Sequence, residues 1–272
     1  MEFSVIMSIY KNDAPEYLRI ALESLLNQTR LPNEILLVED GPLTAELTEV
    51  IESFKESMGN NLVKVVKIPV NGGLGRALNE GLKHCSYELV ARMDADDICK
   101  PERFEKELKV FEEHPDYGMV GSWIDEFEHV PGDSKSIRIV PETPEQNLIY
   151  AKSRCPVNHP TVMYRKQQVF DAGGYQTELF PEDYFLWIKM LQNGTKIYNI
   201  QESLLWFRFS LDTFKRRGGW KYACDEAITQ WNIYRLGFIG IPTLLKNVAI
   251  RFTTRILPNW LRTWMYLHVL RK

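Results

Sequence analysis

Three aspartates follow an apolar stretch whose residue types are those of a buried strand. The stretch covers residues 88–93, and Asp94, Asp96 and Asp97 come directly after it. Open α/β sheets bind ligands at such strand ends. Closely spaced carboxylates repel one another, and a hard divalent cation such as Mg²⁺ or Mn²⁺, often shared with substrate phosphates, relieves that repulsion. A metal site is one interpretation. The other is a helix N-cap formed by Asp97 or a neighbour, ahead of a helix over residues 101–113.

Alternating strands and helices must position these acids. Strands are predicted over residues 3–10, 34–38, 62–68 and 88–93. One helix is predicted to begin at an Asp13 N-cap, and two others to cover residues 45–58 and 101–113. A glycine-rich loop at residues 71–81 is predicted to lead into a further helix. This βαβα order predicts an α/β fold with a mostly parallel sheet and right-handed crossovers.

A second group of acids ends the second predicted strand. Glu39 and Asp40 follow residues 34–38, so two of the four strands end in clustered carboxylates. Because the carboxyl ends of parallel strands meet at one edge of a sheet, these acids and the three aspartates are expected at one site. This coincidence favours a ligand site over simple helix capping.

The glycine-rich loop at residues 71–81 allows two interpretations. Its sequence, NGGLGRALNEG, matches neither a dinucleotide fingerprint nor a Walker loop, so a phosphate cradle and a tight strand-to-helix turn are both open. Arg76, near the start of the following helix, is placed to reach a diphosphate.

The second half of the chain is less regular. Strands are predicted over residues 117–127, 196–200 and 204–209, and helices over residues 141–151 and 181–191. Glu182 and Asp183 stand in the first turn of the last of these helices, where the helix dipole favours acid whatever the function. A structural role and a catalytic role are both open for this pair.

Charge and cysteine content bound the class of protein. A net charge of −3 argues against a general nucleic-acid-binding protein, and four cysteines without a C-x-x-C pair fit a reducing compartment. The N-terminus lacks a signal-peptide pattern, and no apolar stretch reaches the length of about 18 residues that a spanning helix needs. A cytoplasmic protein is therefore expected.

The chain beyond Trp220 is aromatic and basic. It has no acidic residue after Glu226, whereas six basic residues lie between Lys246 and Lys272. Tryptophan on a basic amphipathic helix is typical of peripheral helices on anionic membrane surfaces. The alternative is that these helices pack on the domain and leave a basic face in solvent.

Four motifs, in this order, resemble the family-2 nucleotide-sugar glycosyltransferases with the GT-A fold. They are SVIMSIY at residues 4–10, EDG at 39–41, MDADD at 93–97 and ED at 182–183, and the likeness runs from Ser4 to about Arg217. NHPT at 158–161 and GGY at 173–175 resemble the bacterial branch that builds O-antigen (lipopolysaccharide) and exopolysaccharide. The resemblance implies a Rossmann-like central sheet with flanking helices over residues 1–217, divided into a nucleotide-binding half (1–113) and an acceptor-binding half (114–217). A helical, basic extension follows over residues 218–272.

The resemblance also implies roles for the residues of the first two motifs. Ser8 and Tyr10 match the strand end where the uracil ring packs, and Tyr10 offers a flat face for stacking. Asp40 matches the carboxylate that accepts a hydrogen bond from the nucleotide base. Glu39 stands where the family usually has aspartate, so its own nucleotide contact is less firmly implied.

The later motifs correspond to the metal and the catalytic base. Asp94 and Asp96 match the D-x-D motif, with Asp96 as the ligand of a Mn²⁺ or Mg²⁺ ion that bridges both phosphates and Asp94 as a ligand of the metal or the ribose. Asp183 matches the general base. Glu182 beside it is a candidate for diphosphate or acceptor contact.

Cations and one histidine complete the predicted site. Arg208, with Arg216 or Arg217, matches positions where the family often places cations against the diphosphate, and Ser210 replaces a metal-binding histidine of some relatives. His159 is either a polar contact to the acceptor or a loop histidine bonded to the backbone.

These roles imply an inverting hexosyl transfer. The donor would be a nucleotide-diphosphate sugar, with a UDP-hexose favoured, and the acceptor a saccharide, typically linked to a lipid diphosphate. A sugar nucleotidyltransferase and a non-catalytic nucleotide-sugar-binding protein are the alternatives. The first would want a glycine-rich basic loop where this chain has SIYKND (residues 8–13), and the second has no need of Asp183.

Overall fold

The computed structural model describes residues 1–58, 62–133, 136–178, 181–209 and 218–257. The strands are β1 (Phe3–Ile9), β2 (Glu34–Asp40), β3 (Val63–Ile68), β4 (Leu89–Met93), β5 (Ile98–Cys99), β6 (Tyr117–Phe127), β7 (Ile137–Arg138), β8 (Met163–Arg165) and β9 (Lys196–Arg208). The helices are α1 (Pro15–Leu26), α2 (Ala45–Met58), α3 (Leu74–His84), α4 (Arg103–Glu113), α5 (Pro144–Tyr150), α6 (Lys166–Asp171), α7 (Glu182–Gln192), α8 (Trp220–Arg235) and α9 (Ile241–Ile256), and a 3₁₀ turn covers His159–Thr161.

The strands described here form one sheet. Its order is β3-β2-β1-β4-β8-β6-β9-β5, and β7 pairs with β6 beside this path. β1 to β4 pair in parallel, as the βαβα order predicts, and β6 and β9 are also parallel. Antiparallel pairs connect β8 to β4 and β6, and β5 to β9. The sheet is mostly parallel along its paired length, which confirms the predicted α/β class.

Helices cover both faces of the parallel strands. On β1, Val5 and Met7 pack in one core with side chains from α1, α2 and α4, whereas Ile6 packs in a second core with side chains from α3 and α7. Successive residues of a strand point to opposite faces, so each face of β1 must be apolar. This explains why the strand is apolar without alternation.

Several predicted elements match the structure in full, whereas the predicted break between the last two strands is wrong. The helix over residues 45–58 is α2, and the strand over residues 117–127 is β6. The two strands predicted over residues 196–200 and 204–209, however, are the single strand β9 (Lys196–Arg208), and Phe209 lies beyond its end. The strand stays paired to β6 through register shifts near Ser122 and Trp123, where extra residues are accommodated without ending the ladder.

α8 and α9 form a helical hairpin at the end of the described chain. The two helices run in opposite directions, because Gly219 N, before α8, donates to the carbonyl of Arg255 near the end of α9 (3.0 Å). Inside the hairpin, Asn247 donates to Gln230 Oε1 (2.8 Å). No helix in the described ranges combines the length and the apolar character needed to cross a membrane.

A buried ion pair fixes α4 beneath the end of β4. Arg103 and Glu107, one turn apart on α4, have fully buried side chains 3.0 Å apart. The same guanidinium donates to the carbonyl oxygen of Arg92 on β4 (2.9 Å). α4 is thereby tied to the strand that leads into the three aspartates.

We predict that Glu107→Ala lowers the free energy of unfolding by about 3–5 kcal/mol, because it leaves the Arg103 charge buried without its partner. Glu113→Ala is the matched control, since Glu113 pairs with Lys109 on the same helix with both side chains exposed. This control should change stability by less than about 0.5 kcal/mol. Urea denaturation followed by circular dichroism measures both values, and equal effects of the two substitutions would contradict the prediction.

Candidate active site

The three aspartates predicted from the sequence lie together in the turn between β4 and β5, called here the acidic turn (Asp94–Asp97). Carboxylate oxygens of Asp94, Asp96 and Asp97 lie within 4.8 Å of one another. Asp97 Oδ1 accepts a hydrogen bond from Arg208 N (2.9 Å), whereas its buried Oδ2 has no hydrogen-bond partner among the described residues.

The alternative interpretation of Asp97 as a helix cap is wrong. α4 begins at Arg103, and its N-cap residue, Glu102, makes no side-chain cap hydrogen bond. The short strand β5 stands between Asp97 and α4 and pairs with β9, so the carboxylate meets the backbone of β9 instead.

Arg92, which the sequence patterns did not identify, supports the acidic turn from its buried position on β4. Its side chain is fully buried on β4, and its guanidinium forms a two-pronged ion pair with Asp94, in which Nη1 lies 2.6 Å from Oδ2. A buried arginine requires an acidic partner, so Asp94 is oriented by Arg92 before any ligand arrives. The available signal was a single arginine inside an otherwise apolar strand.

Arg208, predicted as a cation for the diphosphate, lies against the acidic turn. Its Nε donates to the carbonyl of Asp96 (3.0 Å), and its guanidinium carbon lies 3.8 Å from the ring centroid of Tyr17 and 4.5 Å from that of Phe127. Cation–π contacts on both rings fix the position of the guanidinium. Arg216, Arg217 and Ser210 lie outside the described residues.

Asp13 belongs to this site, although the sequence analysis assigned it to the N-terminus of α1. That assignment is wrong, because Ala14 is the N-cap residue and Asp13 Oδ2 accepts a hydrogen bond from Tyr10 N (2.9 Å). Burial, together with the charges of Asp96 and Asp94, raises the pKa of Asp13 to about 7. Asp13, in the loop that follows β1, is therefore within electrostatic reach of the acidic turn.

Burial and neighbouring charges also raise the pKa values of two aspartates within the turn itself. Burial, with the charge of Asp94, raises the pKa of Asp96 to about 6. Burial and the charges of Asp96 and Asp94 hold the pKa of Asp97 well above its ordinary range. The negative form of the turn is thus disfavoured unless a positive charge joins it.

The ends of β1 and β2 bring the predicted nucleotide residues to the same edge of the sheet. Met7 on β1 lies opposite Met93 on β4, and Ser8 lies opposite Val38 on β2. Ser8 and Tyr10 therefore stand between the acidic turn and the second group of acids.

Asp40 holds the glycine-rich loop. Its Oδ1 accepts from Gly72 N (2.8 Å), and its Oδ2 accepts from Gly73 N (2.9 Å) and from Asn71 Nδ2 (2.9 Å). Two amides that a phosphate cradle would use are thus bonded to a carboxylate, which favours the interpretation as a tight turn. Gly73 has a φ of +86°, in the left-handed region that suits glycine.

Glu39 and Arg76 flank this loop. Glu39 is buried, and its Oε1 lies 3.0 Å from Lys67 Nζ. Arg76 is exposed at the start of α3, where its side chain crosses over Gly72 so closely that a Cβ on that glycine would lie 2.2 Å from Arg76 Cδ.

The first turn of α7 lies within electrostatic reach of the acidic turn. Burial and the charge of Asp183 raise the pKa of Glu182 to about 6, and Asp94 contributes in the same direction. Cys155 Sγ lies 3.9 Å from Asp183 Oδ2. The two motifs, separated by more than eighty residues in the sequence, are thus electrostatic neighbours.

His159 is bonded to a side chain, so its interpretation as a loop histidine bonded to the backbone is wrong. Its Nε2 lies 3.0 Å from the hydroxyl of Tyr175, and its ring meets the edge of Trp187 with centroids 5.6 Å apart. Burial and the charge of Arg92 hold the pKa of His159 well below its ordinary range.

Tyr175 links this histidine to α3. Its backbone N–H donates to Asn79 Oδ1, and its carbonyl accepts from Asn79 Nδ2, both at 2.8 Å. The GGY segment therefore connects His159 to α3, a structural role that the sequence alone did not reveal.

Comparisons with known proteins agree with the geometry. Residues 4–172 match the family described as Glycosyl transferase family 2. The chain is 41% identical over 271 residues to UDP-Gal:alpha-D-GlcNAc-diphosphoundecaprenol beta-1,3-galactosyltransferase of Escherichia coli, covering 100% of this chain and 97% of that protein. It is 38% identical over 274 residues to the amylovoran biosynthesis glycosyltransferase AmsE of Erwinia amylovora, covering 97% of each.

Solved structures share the fold. TarS 1–349 of S. aureus in complex with UDP-GlcNAc aligns with a TM-score of 0.64 at 22% identity, covering 94% of this chain and 72% of that one. The mannosyltransferase PcManGT from Pyrobaculum calidifontis, in complex with GDP-Man and Mn²⁺, aligns with a TM-score of 0.65 at 18% identity, covering 98% and 73%.

The family match covers more than half of the chain and includes the acidic turn, and both relatives align over nearly their whole length. The family predicted from the order of the motifs is therefore confirmed. The chain is a glycosyltransferase and belongs to glycosyl transferase family 2.

Proposed function

We propose that this enzyme transfers a hexose, with galactose as the first candidate, from its UDP-sugar to a GlcNAc residue carried on a lipid diphosphate. Transfer proceeds with inversion and contributes to a bacterial surface polysaccharide such as O-antigen or exopolysaccharide. The name and the near-complete alignment of the E. coli galactosyltransferase support this donor and acceptor. Residues 1–113 bind the nucleotide, residues 114–217 bind the acceptor, and residues 218–272 form the extension.

One observation carries the proposal. The acidic turn and the first turn of α7 are close enough for Asp94 and Asp183 both to raise the pKa of Glu182. Inverting transfer needs a diphosphate site and a general base on either side of the transferred sugar, and we assign these two roles to the acidic turn and to the first turn of α7.

Asp183 acts as the general base in this proposal. It accepts the proton of the acceptor hydroxyl while that oxygen attacks the anomeric carbon and the nucleoside diphosphate leaves from the opposite side. Displacement in one step inverts the anomeric centre. Proton removal of this kind contributes roughly 10²–10⁴-fold to the rate. Glu182, with its pKa near 6, contacts the diphosphate or the acceptor.

The acidic turn fits a divalent cation. Its carboxylate oxygens lie within 4.8 Å of one another, and Asp97 Oδ2 is buried without a hydrogen-bond partner in the described chain. Asp96 and Asp94 would hold Mn²⁺ or Mg²⁺, and Arg92 would keep the Asp94 carboxylate in place. When bound, such an ion neutralises the charge of the departing diphosphate. Arg208 and, outside the described residues, Arg216 or Arg217 would add positive charge there.

The nucleotide lies across the ends of β1 and β2. Tyr10 stacks on the uracil, and Ser8 lines the same strand end. Asp40 Oδ1 accepts one hydrogen bond within the described chain, from Gly72, so its second lone pair is available to an N–H of the base. Glu39 and Arg76 complete the contacts to the nucleotide, and His159 orients the acceptor through its bond to Tyr175.

A lipid-linked acceptor places the reaction at a membrane surface. We expect the enzyme to act as a peripheral protein on the inner face of the cytoplasmic membrane, with its basic C-terminal extension toward anionic lipid and without a role in nucleic-acid binding.

A donor panel tests the proposal. Purified enzyme is incubated with a GlcNAc-diphospho-alkyl acceptor and each of UDP-galactose, UDP-glucose and UDP-GlcNAc, with and without Mn²⁺, and the product is analysed by mass spectrometry and anomeric NMR. A β-linked hexose on GlcNAc supports the proposal, whereas hydrolysis without transfer, or an α-linked product, contradicts it.

We predict that Asp183→Asn lowers kcat by roughly 10²–10⁴-fold and leaves UDP affinity within about twofold, because the amide cannot accept the proton but fills the same space. Initial rates and calorimetric titration with UDP measure the two effects. Asp171→Asn, at an exposed acid of α6, is the control and should keep wild-type rates. An Asp183→Asn enzyme with normal kcat would remove this residue from the role of base.

We also predict that Mn²⁺ raises the Tm more at about pH 8 than at about pH 5. Asp13 and Asp96, whose pKa values are raised to about 7 and about 6, hold protons in the folded state that the unfolded chain has already released. Without cation, folding stability therefore falls as the pH rises through this range, and a cation must displace any proton that remains.

Differential scanning fluorimetry at both pH values measures this dependence. For each proton that Mn²⁺ displaces, its apparent affinity should weaken by about tenfold per unit decrease in pH. Asp96→Asn should abolish the cation effect, whereas Asp116→Asn, at an exposed acid paired with Lys196, should preserve it. An equal Tm increase at both pH values would contradict the coupling.

A further inference from the structure

α8 presents a row of apolar side chains to solvent. Trp220, Cys224, Ile228 and Trp231 follow one another at intervals of three or four residues, so they lie on one side of the helix. Trp220, Ile228 and Trp231 are largely exposed. The opposite side of the helix carries Ala223 and Ile233, which are buried.

α9 presents a second row of the same kind. Ile241, Leu245, Phe252 and Ile256 are spaced by multiples of a helical turn, and all but Phe252 are largely exposed. The buried side of this helix carries Leu244 and Asn247. An amphipathic helix normally buries its apolar side. Both helices here have a buried side and, in addition, an apolar row that faces solvent.

The two rows form one surface. The rings of Trp220 on α8 and Phe252 on α9 meet edge to face with their centroids 5.0 Å apart. We call these eight residues the hairpin face. An exposed apolar surface of this extent is uncommon on a protein that has no partner.

The charges around the hairpin face are mostly basic. Lys221, Arg235 and Lys246 are exposed on the same two helices. Glu226 is buried and bonded to Arg251 and Arg255, so it does not offset them at the surface. The half-exposed Asp225 is the other acid of α8, and no acid follows Glu226 in the sequence.

The inner side of the hairpin is fixed to the part of the chain that holds Asp183. Asn247 Nδ2 donates to the carbonyl of Lys152, and Arg251 Nη2 donates to that of Ser153, both at 2.8 Å. The Arg251 guanidinium lies 5.4 Å from the ring centroid of Tyr184, the residue after Asp183. Whatever binds the hairpin face is therefore held at the acceptor side of the enzyme.

We propose that the hairpin face docks on the surface of an anionic lipid bilayer. Tryptophan and aliphatic side chains enter the headgroup region, while Lys221, Arg235 and Lys246 contact anionic headgroups. A second copy of the chain fits less well, because its own basic residues would meet these. The assignment of the acceptor to a lipid rests on the proposed function, but docking itself does not require catalysis.

Flotation of the full chain with phosphatidylglycerol-containing vesicles tests docking without any sugar lipid. Wild type should bind these vesicles, bind phosphatidylcholine vesicles less, and release from the former as salt is raised. Ile228→Gln/Leu245→Gln removes one apolar group from each helix, at side chains that are 52% and 63% exposed. This variant should lose vesicle affinity by at least about tenfold.

Ile139→Gln/Ile149→Gln is the matched control, because these isoleucines are 57% and 70% exposed but lie outside the hairpin. It should bind vesicles within about twofold of wild type. Transfer to the alkyl-linked acceptor, measured on the same samples, should be unchanged in both variants, so a failure of the proposed chemistry is seen separately from a failure of docking.

Three results would overturn the proposal. They are no binding of wild type to anionic vesicles, equal binding by Ile228→Gln/Leu245→Gln and wild type, and a dimer in light scattering that this variant dissociates. The last would make the hairpin face an interface between two copies of the chain.

Discussion

Electrostatic repulsion among acids is the constraint on which this active site depends. Asp13, Asp94, Asp96 and Asp97 converge from two loops, and burial together with the neighbouring charges raises the pKa of Asp13, Asp96 and Asp97. Arg92 offsets part of this charge through its buried pair with Asp94. Arg208 offsets another part, held in place by two aromatic rings and by the backbone of Asp96. The remaining excess of negative charge supports the proposed binding of a cation by the turn.

The scaffold keeps these opposing charges from relaxing apart. Parallel pairing of β1 with β2 and β4 aligns the strand ends, so the residues that follow them cannot move independently. Arg103, buried on α4, bonds to the carbonyl of Arg92 and so continues the support of the turn into the helical layer. Groups held this way lose little freedom when a ligand binds, which is the benefit of a preorganised site.

The sequence predicted the class of fold and the grouping of three aspartates at a strand end, because those features depend on local patterns. Apolar runs that end in acid gave the strand ends, and the order of motifs gave the family. The sequence did not reveal how charges would be shared between distant residues. Asp13 has the spacing of a helix cap, yet it bonds to Tyr10 and senses the acidic turn. In the sequence, Arg92 is one polar residue within a strand. Only the fold shows that its side chain pairs with Asp94, two residues further along in the acidic turn. Asp97 has the position of a cap, but the pairing of β5 with β9 gives it the backbone of Arg208 instead.

In the proposed docking mode, the C-terminal hairpin connects membrane attachment to the α7 side of the candidate site through packing. Its inner side contacts Lys152, Ser153 and Tyr184, so the hairpin and the first turn of α7 form one packed unit. A flexible tether would hold the enzyme near a membrane but would leave its orientation free. In the proposed docking mode, the packed hairpin sets that orientation as well, because it hydrogen-bonds to Lys152 and Ser153 and its Arg251 lies against Tyr184. An acceptor that cannot leave the bilayer has its reactive hydroxyl within a limited height of the headgroups. For such a substrate, the placement of the hairpin against α7 determines whether that hydroxyl and Asp183 can meet.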